Sequence, residues 1–146
     1  ALTNAETAYR DTIEYVPNEY DTYVFTANLY NEASLLFDTT YAEKAISVGE
    51  LGVMVEPYGP AIRVQLGLAY LTTGNVEKAI EHLEVATSLD SDYMAAFTLL
   101  AQAYQKAGRY DDARAAAQHI LDREPTNSDA LGVMQSLDAS ATTTTP

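Results

Sequence analysis

The apolar positions between residues 60 and 126 fall at helical spacing and come in pairs of segments. Arg63, Leu66, Gly67 and Tyr70 share one helix face. Gly74-Asn75 then breaks the helix, as a glycine in the left-handed region does at a helix end. A second helix is predicted from about Val76 to Leu89, with Ala79, Leu83 and Ala86 forming a narrow stripe at i, i+4 and i+7. The same order returns downstream. Phe97, Leu100, Ala101 and Tyr104 make a first helix, Gly108-Arg109 a turn, and Ala113, Ala117 and Ile120 a second helix that Pro125 ends.

The two blocks are one pattern repeated at a constant offset, which carries Tyr70, Gly74 and Ala79 onto Tyr104, Gly108 and Ala113. A fixed period of roughly 34 residues predicts a stack of small helical units, each contacting its neighbours, rather than a globule around one core. Gly67 and Ala79 carry almost no side chain, so antiparallel helices pack closely there. Overfilling such a contact costs about 1–3 kcal/mol.

Upstream the phase slips. Ala45, Gly49, Gly52 and Pro57 lie one such period before Ala79, Leu83, Ala86 and Ser91. The first helix of that unit is best matched by Tyr23, Thr26, Ala27 and Tyr30, which stand one period and six further positions before Arg63, Leu66, Gly67 and Tyr70. Six extra residues therefore fall inside the segment from Asn31 to Tyr41, and the first helix is expected to overrun by more than a turn before Asp38. Ala5, Tyr9 and Thr12, closed by Pro17, fit a second helix alone. Leu131, Met134 and Leu137 mark a further amphipathic helix, expected to cover the apolar end of the array. The predicted organisation is a half repeat (3–17), an expanded repeat (20–57), two standard repeats (60–91 and 94–125) and a capping helix (127–139), about eight helices in all. A Thr-rich tail (140–146) is expected to be disordered. The chain does not begin with Met, which points to a fragment of a longer or processed protein.

The residues from 60 to 125 resemble the tetratricopeptide repeat, whose 34-residue unit reads W-x2-L-G-x2-Y, then A-x3-F, then P. Leu66-Gly67-x2-Tyr70 with Ala79 and Leu83 fits, as does Leu100-Ala101-x2-Tyr104 with Ala113 and Pro125. Arg63 and Phe97 stand where Trp is usual, and Ala117 is smaller than the pattern asks. The resemblance implies an all-α solenoid of antiparallel helix pairs wound as a right-handed superhelix. It extends more loosely over residues 3–139.

Charge narrows the partners. The net charge is −13, from 21 acidic and 8 basic residues. Phosphate backbones need clustered Lys and Arg, so nucleic acid is disfavoured, and anionic membrane surfaces equally so. No apolar run approaches the roughly 18 residues that suggest a membrane span. There is no Cys, which removes disulfides, thiolate metal sites and cysteine nucleophiles.

No catalytic constellation is legible. His82 and His119 lie on second helices next to solvent-type positions, and neither has a second His or Cys at ligand spacing. Asp111 and Asp112 open a helix, where carboxylates complement the macrodipole. Neither a dinucleotide-binding glycine pattern, a Walker loop nor a nucleophile elbow occurs. The expectation is a protein without catalysis, metal or cofactor. Tyrosine is abundant, at 11 residues without a single Trp. Tyr70 and Tyr104 are expected between helices with the hydroxyl near a polar partner. Tyr9, Tyr15, Tyr20, Tyr23, Tyr30 and Tyr41 crowd the first third, divided between core and surface.

The resemblance also implies where a ligand would bind. In tetratricopeptide domains the first helices line a concave groove, with their second, fifth, ninth and twelfth positions facing inward. Here these are Asp21, Val24, Asn28 and Asn31; Ala61, Val64, Leu68 and Leu71; and Ala95, Thr98, Gln102 and Gln105. The expected groove is apolar in the middle, polar at its ends and without a cation. Co-chaperone members of the family grip the C-terminal carboxylate of heat-shock proteins with Lys, Asn and Arg on such positions. Only Asn28 matches, while Val24, Val64, Ala95 and Thr98 replace the basic residues, so a carboxylate clamp is not expected. The implied function is a scaffold that binds a protein's peptide or helix in the apolar groove. The alternative is the water-exposed accessory segment of a bacterial membrane glycosyltransferase of the O-antigen-ligase type, whose repeat segments combine a Tyr-rich first helix with an expanded first unit.

Overall fold

The computed structural model describes residues 2–15 and 17–142. Eight α-helices run through them: α1 (Leu2–Tyr15), α2 (Tyr20–Leu36), α3 (Tyr41–Val55), α4 (Pro60–Thr72), α5 (Val76–Leu89), α6 (Met94–Lys106), α7 (Tyr110–Leu121) and α8 (Ser128–Thr142). Among the described residues there is no strand.

The helix ends follow from local chemistry. Gly74 and Gly108 both hold positive φ, 80° and 74°, and carry the chain from first to second helix in the two standard units. Asn75 then caps α5, its side-chain oxygen accepting from the Lys78 N–H at 3.3 Å. Pro60 occupies the first turn of α4, where its missing N–H costs nothing. Val55 ends α3 because Glu56 precedes Pro57 and is pushed out of the helical region, to φ −133° and ψ 88°.

Six inserted residues separate the expanded unit from its neighbours. α2 has 17 residues against 13 in α4 and α6, so four extend the helix by about one turn. The others lengthen the turn and the start of α3. The last helix also runs further than expected. α8 reaches Thr142, three residues into the segment expected to be disordered, and residues 143–146 of that segment lie outside the described residues.

Helices pair as predicted. α2 packs on α3, α4 on α5 and α6 on α7, and each pair abuts the next through α3–α4, α5–α6 and α7–α8. The first helices also approach one another closely, α2 with α4, α4 with α6 and α6 with α8, whereas the backbones of the second helices stay apart, α3 reaching α1 through the Lys44–Glu6 side-chain pair. A stack whose first helices crowd together and whose second helices spread apart curves, so the first helices form its inner, concave layer.

Small residues set the spacing. A Cβ built on Gly67 would lie 2.5 Å from Leu83 Cγ, and one on Gly49 2.7 Å from Leu66 Cγ. The predicted close approach at Gly67 is therefore real, but it is Leu83 of α5 that fills it.

Candidate functional site: the concave face and the tyrosine ladder behind it

The twelve inward positions do not form one open groove. Val64 is buried in the central core, and Leu71 packs on the same core while half-exposed. Val24 packs half-buried on the smaller cluster around Tyr23. Asn31, expected to face a ligand, is instead buried at 1% exposure between α2 and α4. Its Nδ2 donates to the backbone oxygen of Gln65 at 3.0 Å and to the Gln65 side chain at 2.9 Å, while its Oδ1 has no partner. The structure thus uses Asn31 to join two first helices. The periodicity could not show this, because the slipped phase brings Asn31 opposite Gln65, one full repeat away.

The rest of the face is accessible. Leu68 and Ala61 are half-buried at its centre, and Asp21, Ala95 and Gln102 are exposed. Asn28 donates to Glu32 at 3.0 Å. Thr98 turns its hydroxyl back to the Met94 carbonyl, and Gln105 hydrogen-bonds Ser136 of α8. No cation stands at any of the twelve positions. The accessible surface is a small apolar centre at Leu68 between polar ends.

Behind this face the tyrosines form a ladder that sequence reading only half anticipated. Tyr70 donates to Glu50 at 2.7 Å, and Tyr104 to Glu84 at 2.6 Å. Each pair joins a first helix to the second helix of the preceding unit, and the two pairs stand one period apart. Tyr30 repeats the device with Glu6 of α1, at 3.0 Å. A cation lies over each ring: Lys44 over Tyr30, Lys78 over Tyr70 and Arg109 over Tyr104, at 5.4, 5.0 and 4.4 Å from the centroids. Burial and the neighbouring carboxylate push the Tyr30 and Tyr70 hydroxyls up to about 12, and Tyr104 higher still. The hydroxyls therefore stay protonated donors at neutral pH. The glutamate partners were missed because they stand at exposed positions of another helix. The recurrence of Glu50 as Glu84 was the available signal.

The histidines are not solvated bystanders. His82 is half-buried, stacked on Tyr70 with centroids 5.6 Å apart, and its Nδ1 is buried without a partner. Burial holds its pKa below the ordinary value. It lines a cleft of about 220 Å³ with Glu50, Tyr70, Lys78 and Glu81. His119 stacks on Phe97 at 3.8 Å, and its Nε2 lies 2.9 Å from the Ser91 carbonyl, to which it must donate. Among the described residues no three His, Cys, Asp or Glu side chains group to hold a metal ion. Asp111 and Asp112 do open α7, and Asp112 pairs with Arg109 at 2.6 Å.

The tetratricopeptide repeat family model matches residues 70–137. Residues 70–137 thus match the tetratricopeptide repeat. A "TPR repeat-containing protein" of Pseudomonas aeruginosa, PA0015, is 38% identical over 68 residues, 47% of this chain and 65% of that protein. The chain thus spans just under two thirds of that relative. The crystal structure of MamA superposes with a TM-score of 0.84 at 20% identity, covering 96% of this chain and 78% of that one. The second TPR domain of human RPAP3, solved with the HSP70 peptide SGPTIEEVD, gives 0.70 at 20% identity over 82% and 98%. The fold is accordingly the tetratricopeptide-type solenoid that the resemblance implied. None of these likenesses supports the link to O-antigen-ligase-type proteins. Among the described residues no helix is long and apolar enough to cross a membrane.

Proposed function

We propose that this protein is a non-catalytic scaffold whose concave face binds a peptide or helix of a partner protein, centred on Leu68. The observation that carries this reading is the half-exposed Leu68 at the middle of the inner layer, flanked by uncharged positions. A partner's apolar side chain would cover it, and Asn28, Thr98 and Gln102 would meet the flanking backbone. The human RPAP3 domain of the same fold was solved with a peptide ending in EEVD. The ligand here differs in chemistry, because no Lys or Arg stands on the inward positions to pair a terminal carboxylate.

A cross-linked pull-down from native extract tests this, comparing wild type with Leu68→Glu after both are shown to melt alike. A protein captured by wild type and lost with Leu68→Glu is the expected result. Identical capture by both moves binding off the concave face. Titration with SGPTIEEVD is expected to show no saturable binding.

A further inference from the structure

Sulfur is scarce in this chain, which has 3 methionines and no cysteine. The fold treats the methionines differently. Met94 opens α6 and Met134 lies in α8, and both are half-buried and pack on the central core. Met54, near the end of α3, is 78% exposed.

Helix geometry explains that exposure. Ala42, Ala45, Gly49 and Gly52 form the buried face of α3. Met54 stands about 160° round the helix from the centre of that face, so its thioether points out of the stack. The same position is open elsewhere in the array. Ser88, one period later on α5, is exposed although α5 has helix pairs on both sides, and Asp122, a further period on, is exposed too. The outward side of a second helix thus faces solvent along the stack. In those two units the position is polar. In α3 it is apolar, and Leu51, one turn earlier on the same side, is 48% exposed.

We propose that Met54 is a reversible oxidation site, at which a peroxide converts the outward side of α3 from apolar to polar. The peroxide O–O bond breaks and an S–O bond forms on Met54 Sδ. The sulfur gives up two electrons, and the other peroxide oxygen leaves as water after taking up a proton. A thiol-dependent methionine sulfoxide reductase returns the thioether. With no thiol in the chain, no cysteine competes for the oxidant. Oxidation at Met54 spares the fold, because solvent hydrates the sulfoxide. At Met94 or Met134 the same polar oxygen would press on the core and destabilise it. The site lies on the convex side, apart from the concave face at Leu68.

The test treats the folded protein with dilute hydrogen peroxide and locates the added oxygen by peptide mass mapping, beside the variant Met54→Leu. One oxygen is expected, on Met54, added about tenfold faster than on Met94 or Met134 and leaving the thermal melt unchanged. In urea the three methionines should react at one rate, since burial alone separates them. Met54→Leu should gain no oxygen over the same time, and methionine sulfoxide reductase should restore the wild-type mass. Equal rates in the folded protein, faster oxidation of Met94 or Met134, or a lower melt once Met54 alone is oxidised would overturn the proposal. So would a Met54 sulfoxide that the reductase leaves in place while it reduces free methionine sulfoxide.

Discussion

Residues 60–137 and residues 2–57 are built from the same unit and packed to different standards. In the first region a single cluster of buried side chains runs from Val64 to Leu137 without a break. The second packs into two small clusters that it shares with α4, Tyr23 and Ala27 with Ile62, and Tyr30 and Ala45 with Ala69. The four buried polar side chains among the described residues, Thr22, Thr26, Asn31 and Ser34, all lie on α2. Thr26 and Ser34 satisfy themselves on their own helix, at 2.6 and 2.7 Å. The contrast shows what a constant period achieves. When every unit repeats at the same period, each apolar side chain meets the same neighbours and the core is continuous. Where the phase slips by six residues, short polar side chains take buried places on α2, and Gly49 and Gly52 let α3 approach Leu66 and Ile62 closely.

The largest expected effect comes from truncating a ladder tyrosine in the continuous region. Tyr104→Ala should cost about 3–5 kcal/mol by urea denaturation, the range for large aromatic truncations. A loss below about 1 kcal/mol would remove Tyr104 from the core. The matching change Tyr30→Ala should open residues 2–57 alone, seen as faster amide exchange confined to α1–α3. Equal loss of protection across all eight helices would erase the distinction between the regions.

Gly67→Leu should follow, costing about 1–3 kcal/mol, because even the added Cβ would sit 2.5 Å from Leu83. A variant as stable as wild type would mean that α4 and α5 can move apart freely.

The ladder also sets an alkaline limit. The Tyr30 and Tyr70 hydroxyls lose their protons near 12 in the folded chain and near 10 when it unfolds. Between those values the folded state holds more protons, so stability should fall as pH rises from about 10 to about 12. Tyr70→Phe should flatten that decline in denaturation curves compared at pH 9 and 11.5.

The smallest effect is the acid counterpart at His82. Burial keeps its folded pKa below the ordinary value, so the unfolded chain takes the proton first. Stability should therefore fall modestly as pH drops below about 6.5, and His82→Gln should remove that dependence. A curve unchanged by the substitution would place the acid sensitivity elsewhere.

The sequence by itself determined the local structure. The constant period, the glycines at 74 and 108 and the small residues opposite Leu66 and Leu83 prescribe helix pairs and their spacing, because these depend on neighbours in the chain. The overrun of α2 was readable from the same count. Tertiary structure decided which side of each helix is used. Asn31 looked like a groove residue and became a joint between α2 and α4, His82 looked solvated and became half-buried, and Tyr70 and Tyr104 found their polar partners, Glu50 and Glu84, on another helix. Those outcomes depend on which residue of another unit arrives opposite. That is fixed by how the helices stack, and no spacing within a single helix records it.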